Sequence, residues 1–136
     1  MKIIISIAIC MTSLLSYSQS KSLVNRTFVS NLVYMCVETD TPRDDTGVII
    51  NMALTFMKDK VEVRLYGYEH GVKVDSLLPS LVYHWEKGKI KIPGLKFDGK
   101  QIIEKDELIY KDNSLIGTRT GDFDSTIIFE ESIETD

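Results

Sequence analysis

Apolar residues in this chain recur at every second position, in runs too short for helices, with turn residues between the runs. Alternation at period two places one face of each run in a core and the other in water, the signature of a half-buried strand. The run 48–57 carries Ile50, Met52, Leu54 and Phe56 on one face. After Lys58-Asp59-Lys60, Val61, Val63 and Leu65 alternate with Glu62 and Arg64. Glu69-His70-Gly71 turns the chain again before Val72 and Val74. Runs 81–86 and 89–92 flank Glu86-Lys87-Gly88 as a hairpin, which Pro93-Gly94 ends. Further strands are expected at 101–104, 107–111, 114–120 and 125–130, with an opening run over 26–37. No sustained helical period follows residue 18.

Short links between consecutive strands specify antiparallel neighbours, because parallel strands need long crossovers. An open sheet of nine or ten strands would leave two unpaired edges, and closure removes them. The expected fold is therefore all-β: an antiparallel up-and-down meander of about 8–10 strands, closed or nearly closed into a small barrel. A sandwich is the second choice. The 136 residues suit one domain.

The first eighteen residues read differently. Lys2 precedes an apolar run from Ile3 to Leu15, and small polar residues follow, with Ser16 and Ser18 at −3 and −1 of a cut before Gln19. This is the layout of a secretory signal peptide, and its style resembles the signals of Bacteroidetes. The run is short for a membrane span, which needs about 20 residues. Residues 1–18 are thus expected to be a signal and 19–136 a single exported domain, periplasmic or extracellular, with no transmembrane segment. Cys10 is a poor lipidation site, since Ile9 is large where a small residue is required and the apolar run continues past it. Cleavage would leave 118 residues and shift the formal net charge from −4 to −5. It would also leave Cys36 as the single cysteine, excluding a disulfide within the chain. In the apolar run LVYMCV a buried, inert thiol is expected there.

The negative charge, with Lys and Arg scattered among acids, argues against a nucleic-acid partner, which calls for a basic patch. It equally disfavours adhesion to anionic lipid. No metal-ligand spacing is present: His70 falls in a turn, and His84 points opposite to Tyr83 and Trp85. Asp40, Asp44 and Asp45, and Asp122 with Asp124, read as solvated turn acids. There is no nucleophile elbow and no phosphate-cradling glycine loop. No enzyme activity and no cofactor are expected.

The stretches MKDKVEVRLYGYEHG, LVYHWEKGKIKIPG, IIEKDELIYKDNSLIGTR and TIIFEE resemble the small bacterial lipocalin-like domains of the calycin type. That resemblance implies a barrel closed by a terminal apolar strand and a small apolar ligand held inside. The Gly-x-Trp of true lipocalins is replaced by LVNRTF, with Asn25 and Phe28 at the comparable place, so no binding residue is carried over. The residues themselves offer two functional candidates. Phe56, Tyr83, Trp85, Tyr110 and Phe129 fall on predicted strands and, facing inward, would line a pocket for an apolar or amphipathic ligand or else fill the core. Tyr66 and Tyr68 share the outward face with Arg64 and would serve an envelope inhibitor or immunity protein, with the loop 39–47, as a protein-contact patch.

Overall fold

The computed structural model describes residues 22–35, 47–121 and 125–133. The expected signal peptide, Cys10, Cys36 and the acids Asp40, Asp44, Asp45, Asp122 and Asp124 lie outside the described residues.

Among the described residues twelve short strands follow one another: β1 (Thr27–Met35), β2 (Val48–Phe56), β3 (Lys60–Glu69), β4 (Val72–Leu77), β5 (Leu81–Val82), β6 (His84–Glu86), β7 (Lys89–Lys91), β8 (Lys96–Phe97), β9 (Lys100–Gln101), β10 (Glu107–Lys111), β11 (Ser114–Thr118) and β12 (Thr126–Ser132). All pairings are antiparallel, and the main sheet runs β4-β3-β2-β1-β12-β11-β10-β7-β6, with β5 also on β3. Among the described residues no helix is long and apolar enough to cross a membrane.

The pairing path returns on itself. β5 joins β3 through Lys60↔Val82 and Val61↔Leu81. β6, one residue further on, joins β7 through His84↔Lys91, Trp85↔Ile90 and Glu86↔Lys89. Only Tyr83 separates β5 from β6, so residues 81–86 are the piece that links the two ends of the sheet. β4 and β5 both lie along β3 on the side away from β2. Residues 72–86 therefore act as one interrupted strand, and the ring contains eight: β1, β2, β3, this bent strand, β7, β10, β11 and β12. The meander expected from the short links is present, and the main sheet curls as one piece, as in a small barrel, rather than splitting into the two layers of a sandwich.

Local chemistry sets the turns. His70 and Gly71 at the β3–β4 turn, and Lys87 and Gly88 at the β6–β7 turn, both take positive φ. Two successive positive φ values make the tight turn whose twist matches the flanking strands. The turn after β6 is thus Lys87-Gly88, with Glu86 inside the strand.

The alternation read from the sequence sorts the faces as expected. Met52, Leu54, Phe56, Val61 and Val63 are buried, together with Phe28, Ile90, Leu108, Leu115, Ile127 and Phe129. Directly opposed pairs share a face: Trp85↔Ile90↔Leu108 makes one inward row, and Tyr110↔Leu115↔Phe129 another. Gly117, next to that first row, leaves the space that Leu108 and Ile103 fill; a Cβ there would lie 2.8 Å from Leu108 Cδ2. The barrel interior is occupied by side chains, as an eight-stranded ring permits.

One expectation is corrected. The strand predicted over 101–104 does not form as such. Residues 96–101 instead make a separate hairpin, β8–β9, with its turn at Asp98-Gly99, and Glu104–Asp106 forms a short 3-10 turn. The isolated bridge Ile103↔Arg119 ties this excursion back to the ring.

Candidate functional site

The two ends of the barrel differ in chemistry. Strand directions place Arg26, Phe56, Tyr83, Tyr110 and Glu131 at one end. That end is sealed by aromatic rings meeting edge to face: Phe28–Phe56 at 5.8 Å, Phe56–Tyr83 at 5.0 Å and Phe28–Tyr110 at 6.5 Å between centroids. Trp85 completes the set 6.0 Å from Tyr110. The Arg26 guanidinium lies over both Phe28 and Tyr110, 5.2 Å from each ring centroid, a cation–π arrangement. It donates to Glu131 from Nε at 3.0 Å and from Nη2 at 2.5 Å, and Nη2 also donates to Tyr110 Oη at 3.1 Å. These bonds to Glu131 and Tyr110 hold the Arg26 charge more firmly than in free arginine. Arg26 Nη1 is buried without an acceptor among the described residues.

Tyr83 Oη donates to the Met57 carbonyl at 2.7 Å. Partial burial of the phenol, with a smaller contribution from Asp59, raises its pKa above the ordinary tyrosine value.

The structure thus gathers all but one of the five pocket candidates at this sealed end, and in packing rather than around a void. Phe56 is fully buried in the core, as is Phe129, which lies on the adjoining inward row. Tyr83 and Tyr110 are half-buried against the core. Trp85 keeps 38% of its surface exposed, because β6 ends one residue later at a turn and its row has no neighbour beyond it.

Among the described residues, the opposite end is crossed by β8–β9. Leu95 and Ile102, at the two feet of this hairpin, are buried in the barrel core. The Thr120 amide donates to the Ile102 carbonyl at 3.0 Å. A cleft lies on each side. The first, of about 290 Å³, is lined by Val63, Leu65, Leu78, Pro79, Leu81 and Leu95, with Lys96 and Asp98 at its edge. The second, of about 390 Å³, is lined by Leu32, Phe97 and Ile102, with Lys100, Gln101, Arg119 and Thr120. Arg119 is anchored there, donating from Nη2 to the Leu32 carbonyl at 2.8 Å. Asp98 borders both clefts. Apolar walls with a few polar groups at the rim are the usual make-up of a small-molecule site. A third cleft, on the outer wall near Glu104, Lys105 and Glu107, is the more polar and faces solvent.

None of these lining residues stands among the sequence candidates. The signal that would have found them is Asp98-Gly99, a hairpin dipeptide between Phe97 and Lys100. It marks an inserted hairpin between two ring strands.

The protein-contact candidates do share the outer face of β3. Tyr68 is 55% exposed and Tyr66 half-buried. Arg64 makes a two-pronged ion pair with Asp75, Nε at 2.8 Å and Nη2 at 2.6 Å. That hydrogen-bonded pairing lowers the Asp75 pKa. Among the described residues no group of three or more His, Cys, Asp or Glu is placed to hold a metal ion. No family model matches the chain, and no curated protein or solved structure matches it at a significant level.

Proposed function

We propose that this is an exported, non-catalytic lipocalin-like barrel that binds a small amphipathic molecule in the cell envelope, at the hairpin-crossed mouth rather than inside the barrel. The supporting observation is the pair of apolar clefts on either side of β8–β9, in a molecule whose interior is otherwise filled. The walls of Leu65, Leu78 and Leu81 suit an apolar body. Lys96, Lys100 and Arg119 at the rims suit an anionic head group. A cleft of about 290 Å³ lies just below the range for ligand pockets, roughly 300–1,000 Å³, which favours a compact ligand over a long acyl chain. The inhibitor or immunity-protein reading ranks second, because the Arg64 charge in its patch is already engaged by Asp75.

Titration with anilinonaphthalene sulfonate, an anionic apolar fluorophore, tests the site. Leu78→Arg should weaken binding at least about tenfold while leaving the thermal midpoint within a few degrees, since Leu78 is only partly buried. Trp85→Ala should leave binding unchanged. The opposite pattern, loss on Trp85→Ala and none on Leu78→Arg, would return the site to the aromatic end and refute the mouth.

A further inference from the structure

Among the described residues, one edge of the ring is unpaired. β7 has only three residues, and its chain then leaves for the β8–β9 hairpin. Nothing among the described residues therefore pairs with β4 on the side away from β3. β4 is exposed along nearly its whole length, with Val72 at 67% and Leu77 at 65%. An uncovered edge of this kind is a template for another strand.

The direction of its unused backbone groups follows from the pairing. The two-residue turn His70-Gly71 makes Glu69↔Val72 the closing pair, and the Leu78 amide donates to the Val63 carbonyl at 2.9 Å. In an antiparallel ladder, residues that exchange bonds alternate with those that do not. Residues 72, 74, 76 and 78 thus point their amides and carbonyls at β3, and Lys73, Asp75 and Leu77 point theirs outward. An incoming antiparallel strand must match these three.

The sequence of β4 is self-complementary in one register. We infer that β4 is the seam of a homodimer, two copies of this chain joining edge to edge about a two-fold axis at Val74. In that register Lys73 lies opposite Asp75 of the partner subunit, and Asp75, which also binds Arg64 of its own subunit, lies opposite Lys73 of the partner subunit, all with outward backbone groups. A two-fold axis at Asp75 would oppose two aspartates, and one at Lys73 two lysines. Like charges directly opposite destabilise a strand pair, and opposite charges stabilise it. The edge charges therefore favour this register over those centred on Lys73 or Asp75.

Sedimentation equilibrium on protein expressed from the whole coding sequence tests this. The wild-type chain should dimerise. Lys73→Asp and Asp75→Lys should each weaken self-association about tenfold or more, because each places two like-charge pairs at the seam. An equimolar mixture of the two variants should dimerise again, since each supplies the charge the other lacks. Recovery in the mixture also shows that both variants fold. Hydrogen exchange on the wild type gives a second test. The amides of Lys73, Asp75 and Leu77 should become protected as concentration rises, while those of residues 72, 74 and 76 are protected throughout. A chain that stays monomeric at millimolar concentration, variants that dimerise like wild type, or edge amides whose exchange ignores concentration would each overturn the proposal.

Discussion

Tyr83 does two jobs at one point of the ring. Its ring packs on Phe56, and its hydroxyl donates to the Met57 carbonyl where the chain passes from β5 to β6. Burial raises its pKa above the ordinary 10.0. A folded-state pKa above the unfolded one means that the neutral phenol is favoured by folding. Its contribution is complete below pH 10.0 and is lost as pH rises through the folded value, where the phenolate can no longer donate. Urea melts should show stability falling above that pH. Tyr83→Phe should cost about 1 kcal/mol at neutral pH, the net value of a hydrogen bond, and should reduce the alkaline loss. An unchanged alkaline loss in the variant would assign it to other tyrosines. Arg26 is the companion case at this end. It is held by Glu131 and two rings, and as an arginine it stays charged throughout this range, so it adds no pH dependence of its own.

Among the elements, β2 and β3 were legible residue by residue. Ile50, Met52, Leu54 and Phe56 alternate without interruption, and all four are buried. The alternation puts Tyr66 and Tyr68 on the outer face, and Tyr68 is exposed. The hairpin β8–β9 was not legible from alternation. Leu95 and Phe97 keep a period of two for a single step, and Asp98, Gly99, Lys100 and Gln101 then interrupt it before Ile102; of residues 95–102 only Leu95, Phe97 and Ile102 pack on the core. The candidate site is not legible for a related reason: its walls combine Val63 and Leu65 of β3 with residues outside any alternating run, such as Leu78, Leu95 and Ile102. Trp85 shows the reverse failure. Its inward parity is legible, since it opposes buried Ile90, but parity does not say whether a row has a neighbour beyond it. Gly67 carries a constraint that the sequence shows only as a glycine inside a strand. At φ 150°, a Cβ there would lie 1.8 Å from the Ile49 carbonyl oxygen. Gly67→Ala should therefore force β2 and β3 apart and cost at least about 2 kcal/mol, the scale of a locally strained backbone. Chemical denaturation will measure it. A variant within about 0.5 kcal/mol of wild type, the range of ordinary surface changes, would mean that the strands separate more easily than this approach implies.

At the scale of the whole molecule, the ring is uneven in height. β1, β2 and β3 have nine or ten residues, and β7, β10 and β11 have three to five. Protection against hydrogen exchange should follow that difference. The amides shared by β1, β2 and β3 should open only with global unfolding, and those of β8–β9, whose hairpin has two residues per strand, should exchange through local opening. Equal protection in both would imply a hairpin far more firmly held than its two pairs suggest. The junction of β1 with β12 adds a restriction in time. Thr27 pairs with Ser132, and the Arg26–Glu131 bond beside them joins positions 105 apart. The other ring contacts link strands much closer in sequence, the longest step being from β7 across the β8–β9 hairpin to β10. The wall β1–β4 can assemble early from neighbours, while the seam must wait for the far end of the chain and bear the closure entropy of the whole loop between. Until that moment the inward faces of the wall, Phe28 and Leu54 among them, stand open to water and to other unfinished copies. The interval before ring closure is when this chain is most exposed to aggregation.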